Sequence, residues 1–124
     1  YRSTDIETIA GRRFGTVLCA GIRATKWQAN REPEVDRAAI ERLRVALSKV
    51  ECNRFVLIST VDVFARPSGV DEADRPDAVE PYGRHRLAFE DWARERFRSL
   101  LIVRLPGLVG PGLRKNALFD LAHG

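Results

Sequence analysis

Three short apolar runs, Phe14 to Ala20, Phe55 to Ser59 and Leu100 to Leu105, punctuate an otherwise polar chain. Each is nearly continuous rather than alternating, and rich in Val, Ile, Leu or Phe. A strand with one wet face alternates apolar and polar residues. A continuous run is what a parallel strand needs when both its faces are covered. Between the runs the period changes to that of a helix. From about Glu34 to Lys49, Ile40, Leu43, Leu47 and Val50 recur at helical spacing, and from Pro81 onward Phe89, Trp92, Ala93 and Phe97 form one stripe. The order is β-α-β-α-β, with a further short helix after Leu113. An alternation of this kind predicts an α/β fold with a parallel sheet.

Geometry adds a consequence. Two right-handed crossovers moving the same way across a sheet put both helices on one face. The other face of three apolar strands would be bare, and the first strand would be an open edge. The chain also lacks methionine. The expectation is that further strands and helices precede Tyr1; a homodimer whose partners cover each other is the alternative.

Composition excludes several classes of protein. No apolar run approaches the length of about 18 residues needed to cross a bilayer, so no membrane partner is expected. Cys19 and Cys52 are too few for a disulfide scaffold and lack metal-ligand spacing, which reads as reduced thiols in a cytoplasmic protein and no metal. The chain carries 21 Lys and Arg against 17 Asp and Glu, and all but Lys26, Lys49 and Lys115 of the basic residues are arginines. These arginines alternate with acids, as in Arg94-Glu95-Arg96, so they read as solvated helix faces and not as a nucleic-acid surface.

The polar residues with the greatest chemical interest stand where strands end. After the second run comes Ser59-Thr60-Val61-Asp62-Val63-Phe64, then a loop containing Arg75-Pro76-Asp77, then Pro81-Tyr82-Gly83-Arg84-His85-Arg86. After the third run comes Arg104-Leu105-Pro106-Gly107-Leu108-Val109-Gly110-Pro111-Gly112. In these motifs, and in their order, the chain resembles the extended short-chain dehydrogenase/reductase superfamily, the NAD-dependent epimerases and dehydratases that act mainly on nucleotide sugars. The resemblance runs from about Phe14 to Gly112. It implies a Rossmann-like, doubly wound parallel-sheet fold of which residues 1–124 form the second half, with the strand and Gly-rich loop of the first half upstream of residue 1. It further implies an NAD(P)-dependent epimerase, dehydratase or reductase with a small-molecule substrate, a nucleotide sugar. A non-catalytic NAD(P)-binding regulator or sensor of the same fold is the alternative.

The residues themselves agree with this. Ligands of open parallel sheets bind outside the carboxyl ends of strands, and Thr60, the Pro106-Gly107 pair and Ala20-Gly21 all sit at such ends. Tyr82 and Arg86, four apart on a helix, share a face. A cation one turn from a phenol favours the phenolate, which can exchange a proton with a substrate hydroxyl while hydride moves to or from a nicotinamide. By resemblance Thr60 is the hydroxyl residue of the catalytic triad, Tyr82 the acid/base, and Arg86 stands where the family has a lysine that also binds the cofactor. Arginine supplies the charge through a wider fork that does not deprotonate. Gly21, without a side chain, lets backbone approach the cofactor. Gly107, Gly110 and Gly112 form a turn segment, not a dinucleotide fingerprint.

Arg2 and Ser3 occupy the place just past the family's second strand, where the adenine ribose lies. An arginine fork there pairs with a 2′-phosphate, which tips the choice from NAD towards NADP, although Asp5 nearby argues for NAD. Asp62 reads as a turn or capping acid, His85 and His123 as surface residues, and Trp27 and Trp92 as packing residues.

Overall fold

The computed structural model describes residues 1, 5–23 and 25–107. The strands are β1 (Arg13–Cys19), β2 (Glu51–Thr60) and β3 (Leu100–Leu105), all parallel, in the spatial order β1-β2-β3. The helices are α1 (Lys26–Arg31), α2 (Pro33–Ser48) and α3 (Pro81–Arg96), with 3-10 turns at Ile6–Ile9 and Val61–Val63. This is a Rossmann-like α/β fold. Both long helices open on a proline, Pro33 and Pro81, whose fixed φ suits the first turn and whose missing N–H costs nothing there. The end of α2 is closed from outside, where the Arg96 guanidinium donates to the carbonyls of Ser48 and Val50, the latter at 2.7 Å.

Strand alternation sorts the side chains. Val17, Cys19, Phe55 and Leu57 point towards the helices and pack with Ile40, Leu43 and Leu47 of α2 and Phe89 and Ala93 of α3. Phe97, just past α3, stacks on Phe55 with ring centroids 4.0 Å apart. Both long helices therefore lie on one face, as two crossovers of the same hand require. On the opposite face, Leu18, Val56 and Leu101 form a row across the three strands, with Leu18 66% and Leu101 43% exposed. Trp92 packs against the core as expected, whereas Trp27 does not: it sits on the outer side of α1, 63% exposed. A six-residue helix that buries only Ala29 has no second inward position for a ring of that size.

Candidate active site

The parallel sheet brings three strand ends to one rim: Ala20-Gly21 after β1, Thr60 at the end of β2 and Pro106-Gly107 after β3. Ala20, Gly21, Pro106 and Gly107 are exposed there. A cleft of about 780 Å³ runs from this rim along β1 and α2, lined among others by Ala20, Gly21, Arg23, Gln28 and Asp36. Gly21 is not required by crowding, since a Cβ there would meet only the Leu43 methyls, at 3.6 Å. Arg2, Ser3 and His123 lie outside the described residues, as do Gly110, Gly112 and the segment beyond Leu113.

Thr60 ends β2 and begins the 3-10 turn. Its hydroxyl accepts from the Asp62 backbone N–H at 3.2 Å and donates to Asp62 Oδ2 at 3.1 Å. Asp62 is thus a turn acid, as expected, with a second partner that the sequence did not suggest: Lys26 Nζ at the start of α1, 2.6 Å from Oδ1. The loop that follows is pinned back by Asp77, whose N–H donates to the Val63 carbonyl and whose Oδ1 accepts from Ala65 N–H.

Tyr82 occupies the first turn of α3 and is 7% exposed. Two contacts fix that turn. The Asn30 side-chain carbonyl accepts from Tyr82 N–H at 2.9 Å, supplying from α1 the cap that Glu80 does not give. Gly83 packs so closely on the turn after β2 that a Cβ would lie 2.1 Å from the Asp62 carbonyl oxygen. A missing side chain thus sets the distance between the Thr60 and Tyr82 segments. Among the described residues the phenolic oxygen of Tyr82 has no protein partner, whereas the Thr60 hydroxyl is engaged.

Arg86 lies 2% exposed beneath the Tyr82 ring, its Cζ 3.8 Å from the ring centroid. Its carboxylate partner is not Glu90 or Asp91, the acids one turn further along α3. Arg86 pairs in bidentate fashion with Asp36 of α2, at 2.5 and 2.9 Å, and donates to the Arg23 carbonyl at 2.5 Å. His85 is not a free surface residue either, for its Nδ1 lies 2.7 Å from Asp36 Oδ2. Burial pushes the Asp36 carboxyl up, but hydrogen bonds from Arg86 and His85 outweigh it and hold the group below the usual carboxylate range.

Glu90, wholly buried, joins the other end of the site to the sheet. It accepts from Ser59 Oγ at 2.7 Å and from both Arg104 Nε and Nη2, at 3.1 and 2.7 Å. Burial likewise pushes the Cys19 thiol up, and both cysteines are free. No cluster of potential metal ligands occurs among the described residues, and none of their helices is long and apolar enough to cross a membrane.

The arrangement is a hydroxyl and a phenol at the carboxyl edge of a parallel sheet, with a guanidinium under the phenol. Lys26, Asn30 and Asp36 are the residues that sequence reasoning did not select. Their signals were weak: α1 is too short to show a period, and Asp36 looks like any acid in a first helical turn.

No curated protein sequence matches the chain. Among solved structures, UDP-glucuronic acid 4-epimerase from Bacillus cereus in complex with NAD is 22% identical over 79% of this chain, with a TM-score of 0.60. A mutant of that enzyme with UDP-4-deoxy-4-fluoro-glucuronic acid and NAD is 24% identical over 81%, with a TM-score of 0.54. The chain spans about a third of the length of these structures, 34% and 35%. This likeness is one of fold. A sequence model of the NAD dependent epimerase/dehydratase family matches residues 8–121, and the chain belongs to that family.

Proposed function

We propose that the protein takes part in NAD(P)-dependent epimerase, dehydratase or reductase chemistry on a nucleotide sugar or related small molecule. The observation that carries this reading is the position of Tyr82, fixed by Asn30 and Gly83 beside the end of β2, with no partner for its phenolic oxygen among the described residues. The Tyr82 oxygen takes the proton of a substrate hydroxyl and later returns one; Thr60 orients that hydroxyl once its own hydrogen turns from Asp62 to the substrate. A bound nicotinamide dinucleotide supplies the hydride acceptor. Ala20 and Gly21 fit such a group because they expose backbone at the mouth of the cleft, and Pro106 and Gly107 do so at the third strand end. The solved relatives carry NAD and UDP-sugars, which makes these the first ligands to try. The preference for NADP rests on Arg2 and Ser3 alone. Calorimetric titration of the intact protein with NAD and NADP, followed by turnover of a panel of UDP-sugars led by UDP-glucuronic acid, tests the reading. Binding of neither dinucleotide would overturn it.

A second reading has its own support. The Thr60 hydroxyl is engaged at both its donor and acceptor sides, and Arg86 is spent in an ion pair. A non-catalytic dinucleotide sensor would look the same. Tight NAD(P) binding with no turnover across the panel would favour it.

A further inference from the structure

The charged cluster beneath Tyr82 carries an inference that rests on the reading above and deepens it. The two terminal nitrogens of Arg86 hold four N–H donors, and four acceptors meet them. Nη1 donates to Asp36 Oδ2 at 2.5 Å and to the Tyr82 carbonyl at 3.2 Å; Nη2 donates to Asp36 Oδ1 at 2.9 Å and to the Arg23 carbonyl at 2.5 Å. Among the described residues only Nε–H is left without a partner, on a side chain 2% exposed. These contacts join three elements: α2 through Asp36, the loop after β1 through Arg23, and the first turn of α3 through Tyr82. For its terminal nitrogens to meet a ligand, Arg86 would have to abandon Asp36, whose side chain is 10% exposed. A carboxylate left so buried without its guanidinium is strongly unfavourable. His85, the other charged or titratable partner of Asp36 among the described residues, would remain, but with one ring nitrogen in place of a two-pronged fork.

We propose that Asp36 is a positioning residue of the site: it locks Arg86 beneath the Tyr82 ring, so that Arg86 braces Tyr82 and the loop after β1 and does not touch the cofactor. Arginine is then not a substitute for a cofactor-binding lysine. It is half of a buried tie that needs a planar fork, and a lysine at 86 could reach one Asp36 oxygen but not both oxygens and the Arg23 carbonyl together.

Nuclear magnetic resonance of the intact protein labelled with 15N-arginine tests this without a variant. Arg86 is assigned through its contacts with the Tyr82 ring hydrogens. The lock predicts separate, slowly exchanging Hη signals that stay in place when NAD is added to saturation. Collapsed signals in the free protein, or signals that move or merge with NAD, would overturn it. A kinetic arm separates positioning from simple support of the fold. Asp36→Asn should lower turnover of UDP-glucuronic acid by about tenfold or more while the Kd for NAD stays within about threefold, and adding Arg86→Lys should bring little further loss. A Kd for NAD that rises about tenfold in Arg86→Lys, but not in Asp36→Asn, would make Arg86 a direct ligand and end the proposal. If the unaltered protein binds no NAD, the proposed function fails instead, and the Hη signals alone decide whether the lock exists.

Discussion

The Arg86 guanidinium lies over the face of the Tyr82 ring, its Cζ 3.8 Å from the ring centroid, one helical turn away on α3. Spacing of four makes such a meeting available to any helix. Here it is enforced, because Asp36 holds the guanidinium from the far side and Asn30 holds the backbone of Tyr82. A cation over an aromatic face is worth about 2 kcal/mol when desolvated, and both side chains are buried. The pair joins the first turn of α3 to α2, through Asp36.

Asp36 gives this cluster a pH signature. Its carboxyl is held below the ordinary value, so it contributes stability above the unfolded pKa of about 4 and loses it as pH falls through the lower folded value. Urea melts from pH 7 down to pH 3 should show stability declining in the acid range. Asp36→Asn should be less stable at pH 7 and decline less steeply. An unchanged slope would show that other carboxyls carry the acid response.

Gly83 predicts a steric effect. An added Cβ would stand 2.1 Å from the backbone oxygen of Asp62, which cannot swing aside as a side chain could. Gly83→Ala should therefore force α3 away from the turn after β2 and cost about 1–3 kcal/mol, the range for overpacking. Equilibrium unfolding measures it. A neutral or stabilising result would mean that the helix start is not seated against this turn.

Glu90 and Arg94 separate buried from exposed charge. Glu90 is fully buried with Ser59 and Arg104 as partners, and removing one side of such a network costs about 3–5 kcal/mol. Arg94 also bonds Glu90, at 3.2 Å, but its side chain is 45% exposed. Glu90→Ala should be severely destabilising, whereas Arg94→Ala should cost less than about 1 kcal/mol. Equal costs in thermal unfolding would contradict this division.

Much of the fold was legible because continuous apolar runs mark buried parallel strands and the helical stripes lie between them. Run lengths were less so: β2 extends back to Glu51, since its first residues pair with β1 through backbone while the side chains of Glu51, Asn53 and Arg54 remain exposed. The candidate residues Thr60, Tyr82 and Arg86 could be picked out because they stand at a strand end or four apart on a helix. The supports could not, because Asn30 and Asp36 act across about fifty residues of sequence, |i−j| = 52 and 50, and no local period records such a contact. Trp27 misled for a related reason: a large ring predicts burial only when its element has a face to bury.

Proton transfer through the Tyr82 phenol is tested most directly by Tyr82→Phe in the intact protein. Removing one oxygen leaves the ring over Arg86, so unfolding and the NAD Kd should be almost unchanged. Turnover of the substrate found in the UDP-sugar panel should fall by at least about a hundredfold, the scale of losing a positioned acid/base. Turnover that survives the substitution would mean that the proton travels through another group and would contradict the account.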